Sequence, residues 1–210
     1  MRLLLIRHGE SSANAETRLQ GHVDYELSER GRRESDLLAF RLASAQIDVL
    51  YSSPLSRARK TAEVIAARLG IGIELEPGLV ERDVGELGGL TRDEIRARHP
   101  DYVKARTEGA PIVMIDGWES DEGMAERVER TIGTIIERHA GQTVAAVTHG
   151  GVITMFCRRM LAFPTVRPVP FSVSNASITT VDVAGGDFDP RLRARIQLVT
   201  LNDTCHLAGL

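Results

Sequence analysis

Only two of the 210 residues are cysteine, Cys157 and Cys205, and they form no CxxC or other metal-ligand spacing. So sparse a set is no disulfide scaffold, which fits a reducing compartment. Basic residues are not in excess: 26 Lys and Arg against 29 Asp and Glu leave a net charge of -3. The broad electrostatic footprint of a nucleic-acid or anionic-membrane binder is therefore missing, and neither partner is expected. No apolar run approaches the roughly 18 residues of a membrane span. Met1-Arg2 leads straight into the first apolar stretch and leaves no room for a signal peptide, so a cytoplasmic location is expected. Tandem repeats and linkers are lacking too, which makes 1–210 a single domain, long enough at 42% hydrophobic residues to bury a full core. HExxH, HxH and paired carboxylate-histidine spacings do not occur, so neither metal nor cofactor is expected.

What is present alternates between short apolar runs and helical periods. Leu3 to Ile6, Ile47 to Tyr51, Ile71 to Leu75 and Thr143 to Thr148 read as buried strands. Ile178 to Val183 and Arg193 to Leu201 alternate like half-buried ones, with turns expected at Gly185-Gly186 and Asp189-Pro190. One helix starts at the Ser28 cap and ends near Ala45; a second is expected to be capped by Ser53, with Pro54 in its first turn and Gly70 as its stop. Thr91-Arg92-Asp93-Glu94 is a capping box opening a short helix to about Arg98. A strongly periodic helix follows Ser120 and ends at Gly141, and another follows His149-Gly150-Gly151 to about Leu161. Residues 9 to 26 show no apolar period and read as a loop over the first strand's exit. Residues 85–118 read as a lid or specificity insertion. The expected fold is α/β: a three-layer sandwich with a mostly parallel central sheet flanked by helices and a C-terminal antiparallel hairpin.

Two segments share one design. Leu4-Leu5-Ile6-Arg7-His8-Gly9 and Ala145-Ala146-Val147-Thr148-His149-Gly150 each end a buried strand with a histidine and then a glycine. Ligands in open α/β sheets bind outside such strand ends, so adjacent strands would aim both histidines into one crevice. A single histidine after a strand is more often structural, but the repeated context moves the reading toward function. Arg57 stands in a helix's first turn, where the dipole disfavours a cation. Either an anion sits between them, or Arg57 is a solvated surface residue. Arg7, Arg57 and helix N-termini suit a phosphoryl group, beside which a neutral histidine can act as nucleophile. An alkoxide leaving group also needs a proton, and Glu81, heading a glycine-rich loop, is the best placed carboxylate. The plain alternative is a surface Glu81 paired with Arg82. His22, His99, His139 and His206 read as structural or surface residues.

With these residues in view, Leu5-Ile6-Arg7-His8-Gly9-Glu10-Ser11, with Asn14, Gln20 and Gly21, resembles the opening signature of the histidine phosphatases, the phosphoglycerate mutase-like superfamily. Ser52-Ser53-Pro54-Leu55-Ser56-Arg57, Glu81 with Gly85, and Val147-Thr148-His149-Gly150 are similar to its remaining blocks in the same order. The resemblance implies a phosphorylated nucleophile at His8, with Arg7, Arg57 and His149 completing the phosphate pocket and Glu81 as general acid and base. Asn14, Gln20, Gly21, Arg82 and Gly150 would contact phosphate or substrate. Gln20 before Gly21 looks like the phosphatase branch, whereas Glu81-Arg82 is also the mutase pairing. No match to the mutases' carboxylate-binding lysine and arginines is found between Thr91 and Asp116. Val84 stands where metal-independent phosphoserine phosphatases carry a histidine. The function expected is a phosphomonoesterase acting on a small polar phosphorylated metabolite. The alternatives are a phosphoglycerate mutase using the same phosphohistidine and a noncatalytic phospholigand-binding protein. A homodimer through an edge strand or exposed helix is an assembly open to it.

Overall fold

The computed structural model describes residues 1–108, 115–161, 170–184 and 196–210. Its centre is a six-stranded mixed sheet in the order β3-β2-β4-β1-β5-β6, formed by β1 (Arg2–Arg7), β2 (Val49–Ser52), β3 (Glu74–Leu75), β4 (Thr143–Thr148), β5 (Ile178–Val183) and β6 (Ile196–Asp203). The first four listed in that order run parallel, and β5 and β6 continue the sheet antiparallel on the β1 side. The interiors of β1 and β4 are apolar because both of their faces are covered. Leu3 and Leu5, with Val144 and Ala146, pack under α6 (Asp121–Arg138) and α7 (Gly150–Leu161). Leu4 and Ile6, with Ala145 and Val147, pack under α2 (Glu29–Leu42) and α3 (Ser56–Leu69). Period-two alternation thus feeds two cores from one strand, which produces the three layers.

A third, smaller core lies outside the sheet. Val84, Leu87, Ile95 and Ile115 are buried there beneath α4 (Arg92–Arg98) and α5 (Pro100–Glu108), with Tyr102 and Trp118 packed against them. Thr91 caps α4 through the expected reciprocal capping box with Glu94.

Four local expectations need correction. The loop at 9 to 26 contains a one-turn helix, α1 (Ser12–Ala15), capped by Ser11 in a box with Asn14; four residues are too few to show a period. Helix α3 begins two residues later than its capping signals indicate. Ser53 still donates its N–H to the Val147 carbonyl, so the chain is sheet-bound there, and Leu55 takes the cap position without a side-chain bond. The third strand shrinks from Ile71–Leu75 to Glu74–Leu75, because only Tyr51 and Ser52 offer it partners; Ile71 and Ile73 pack on the core instead. The last strand begins, among described residues, at Ile196 and runs on to Asp203. The turns expected at Gly185-Gly186 and Asp189-Pro190 lie outside the described residues. No helix among these residues is long and apolar enough to cross a membrane.

Candidate active site

The register Arg7↔Thr148 places the exits of β1 and β4 side by side. His8 and His149 follow at once, and their rings meet edge to face with centroids 5.1 Å apart. Both are buried, as is Arg57. Gly9 lets this exit press onto α2: a Cβ there would lie 2.5 Å from the Gly31 carbonyl oxygen. The Thr61 hydroxyl locks the turn, accepting the Gly9 N–H at 3.0 Å and donating to the Arg57 carbonyl at 2.9 Å.

Nδ1–H of His8 donates to the Gly9 carbonyl at 2.7 Å, which fixes the tautomer and leaves Nε2 with its lone pair. Burial holds the His8 pKa well below the usual 6.5, and the Arg7 and Arg57 charges add to the effect. His149 is depressed likewise, first by burial and then by His8 and the two arginines. Both rings are therefore neutral near pH 7. The Ser53 hydroxyl lies 2.8 Å from His149 Nε2 and already accepts the Leu55 N–H. When that hydroxyl donates to Nε2, His149 carries its hydrogen on Nδ1, a buried position with no protein partner.

Arg57 spends its two terminal nitrogens on the carbonyls of Gly21 (2.9 Å) and Val23 (3.2 Å). Arg7 Nη1 donates to the Val173 carbonyl at 2.6 Å. In both arginines Nε is buried without a partner. Burial lowers the pKa of each, Glu81 opposes the shift, and both stay cationic. Arg57 is thus neither surface nor solvated, which removes the plain reading of its position.

Glu81 is held from both sides by backbone: Oε1 accepts the Arg82 N–H at 2.8 Å and Oε2 the Gly151 N–H at 3.0 Å. The Thr148 hydroxyl and Arg127 fasten its loop through the carbonyls of Leu79, Gly78 and Val80. Its expected surface alternative fails, because the Arg82 guanidinium pairs with Asp121 at 2.7 Å and the Glu119 carbonyl instead. His22 is structural, its Nε2–H donating to the Glu81 carbonyl at 2.9 Å.

Arg7, His8, Asn14, Gln20, Gly21, Arg57, Glu81 and Arg82 all line one cleft of about 290 Å³. His149 and Gly150 lie behind it, the latter against the Arg7 side chain. A larger groove of about 720 Å³ also touches Arg7 but none of the other expected site residues. Asn14 and Gln20 are joined through Ser11, whose hydroxyl lies 3.0 Å from Asn14 Oδ1 and 2.8 Å from Gln20 Oε1. Sequence reading gave no role in the site to three supports: Ser53, read as a helix cap, Thr61, and Asn175. Asn175 Nδ2 donates to the His8 carbonyl and to Asn14 Oδ1, both at 3.1 Å. Only the fold could show that it backs His8. Among the described residues, no three His, Cys, Asp or Glu side chains group closely enough to hold a metal ion.

Known proteins share this arrangement of the chain. It is 36% identical to phosphoglycerate mutase-like protein 4 of Arabidopsis thaliana over 188 residues, covering 88% of this chain and 80% of the relative. To phosphoserine phosphatase 1 of Hydrogenobacter thermophilus it is 32% identical over 208 residues, 99% of this chain and 94% of the other. The structure of a mycobacterial glucosyl-3-phosphoglycerate phosphatase complexed with VO3 superposes with a TM-score of 0.83 at 29% identity, covering 97% of this chain and 99% of that one. The sequence profile of the histidine phosphatase superfamily (branch 1) matches residues 3–195, nearly the whole length, and the chain belongs to that family.

Proposed function

We propose that the protein is a phosphomonoesterase that works through a phosphohistidine at His8 without a metal. One observation carries this reading: three buried nitrogens without protein partners, Arg7 Nε, Arg57 Nε and His149 Nδ1, belong to the side chains whose charges and ring act on His8, while the Gly9 carbonyl holds its Nδ1–H and leaves Nε2 for attack. Two cations and three directed donors match the charge and oxygens of a phosphoryl group. His8 Nε2 attacks phosphorus and the ester P–O bond breaks. The leaving oxygen takes a proton from the Glu81 carboxyl group. Water then attacks phosphorus while the Glu81 carboxylate takes its proton; the P–N bond breaks as the new P–O bond forms, which restores neutral His8 and releases phosphate. The names of the relatives support a phosphatase acting on small phosphorylated compounds.

Incubation with p-nitrophenyl phosphate in excess chelator tests the proposal. Release of nitrophenolate by wild type, an acid-labile phosphoenzyme, and loss of both in His8→Ala are expected. No release, or full activity without His8, refutes it. The Arabidopsis relative's name carries a second reading, transfer of the same phosphoryl group to a sugar acid. It predicts stimulation by 2,3-bisphosphoglycerate, and its absence removes that reading.

A further inference from the structure

Outside the phosphoryl pocket the cleft changes character. Among the described residues that line it, Leu19, Val84, Tyr102 and Trp118 make an apolar and aromatic wall. The Tyr102 and Trp118 rings lie 5.8 Å apart between centroids, tilted at 53°. A backbone bridge between Val84 and Trp118 fixes this wall to the segment that follows Glu81. Two arginines line the same part of the cleft, and the charge of each is already met. Arg18 pairs with Glu16 at 2.7 Å and Glu94 at 3.3 Å. Arg82 pairs with Asp121 at 2.7 Å, and its guanidinium lies over the Trp118 ring at 5.5 Å. A leaving group bearing a carboxylate would compete with these ion pairs for a cation, whereas an uncharged one disturbs neither.

We propose that this wall selects monoesters whose leaving group is uncharged and carries an apolar or aromatic ring, with Trp118 and Tyr102 as the specificity residues. The proposal rests on the phosphatase reading and replaces the small polar leaving group that the sequence leads one to expect. An aromatic ring beside Trp118 gains both buried area and ring-ring contact, whereas serine or glycerate gains neither.

Trp118 is the chain's single tryptophan, so its emission reports directly on the wall. Titration with 2-phenylethylphosphonate should change that emission, with a Kd about tenfold or more below those of ethylphosphonate and 2-carboxyethylphosphonate. In turnover, kcat/KM for 2-phenylethyl phosphate should exceed that for phosphoserine and 3-phosphoglycerate by a similar factor. The ratio of 2-phenylethyl to ethyl phosphate should fall toward one in Trp118→Ala and survive in Trp118→Phe. Equal constants for the three phosphonates, or a preference for the carboxylate compounds, overturns the proposal. The phosphonate titration needs no catalysis. A wild type that binds by this order yet forms no phosphoenzyme refutes the phosphatase reading alone, and one that turns over all esters equally refutes the wall alone.

Discussion

Replacing Gly151 with alanine should separate the stability of this protein from its chemistry. An alanine Cβ at that position would lie 2.1 Å from Glu81 Oε1 and 3.0 Å from its Cδ. Ordinary contacts begin near 3.4 Å, so the carboxylate must retreat by more than 1 Å. It would also lose the 3.0 Å bond it receives from the Gly151 N–H. Glu81 is the flexible end of a side chain, so the fold yields cheaply. Gly151 is the second residue of α7, and removing a glycine from a helix contributes up to about 0.5–1 kcal/mol of stability. The expected result is an unchanged or slightly raised Tm beside a loss of roughly 100-fold in kcat for alkyl phosphates, the effect of about 1 Å of misplacement in a proton-transfer group. Rapid-mix kinetics refine the prediction. Nitrophenolate leaves without a proton, so p-nitrophenyl phosphate should give a burst of one equivalent, followed by turnover slowed at the hydrolysis of phospho-His8. Alkyl esters should give no burst. Alkyl phosphate turnover within threefold of wild type would refute the role assigned to the Glu81 carboxylate.

Acid should destabilise the protein while sparing its nucleophile. His8 and His149 have native pKa values pushed well below 6.5, so the unfolded chain binds the extra protons first. Stability is then full above about pH 6.5 and falls as pH drops toward the native values, by at most about 1.4 kcal/mol per pH unit for each ring. Thermal melts from pH 8 to 4.5 should show this, with a shallower slope in His149→Gln; an identical slope in that variant counts against it. Ser53→Ala removes the hydroxyl that faces His149 Nε2, and vanadate inhibition should weaken about tenfold with little change in Tm; an unaltered inhibition constant would contradict donation from Ser53 to that nitrogen. Arg57→Lys cannot hold the Gly21 and Val23 carbonyls and also reach the phosphoryl group. Vanadate affinity should fall about 100-fold and Tm should drop, and a lysine variant that binds as wild type would show that the fork is dispensable.

The parts of the site that were legible in the sequence are those written into one local pattern. Both histidine-bearing exits, at His8 and His149, announce themselves because a strand interior covered on two faces must be apolar and then change abruptly. The Thr91 box, the Ser28 cap and the face of α6 are likewise local, and the structure has them. Where a side chain serves a distant partner, local rules misdirect. Ser53 obeys the capping rule by type, yet its hydroxyl belongs to His149, 96 positions away. Arg57 looks anomalous until Gly21 and Val23 arrive to accept from it. The pairing of Val84 with Trp118 and the bracing of His8 by Asn175 have no short-range signal at all.

The sheet order has a consequence for how the protein comes into being. β1 is the first strand in the chain, but it is interior, wedged between β4 and β5. Its neighbours begin at Thr143 and Ile178. During synthesis Leu3, Leu4, Leu5 and Ile6 have no sheet to enter until most of the chain has emerged, an interval in which an apolar edge invites association. Such long-range pairing also slows refolding. The paired histidines therefore form a late landmark of folding, and their edge-to-face contact marks a finished molecule rather than an assembling one.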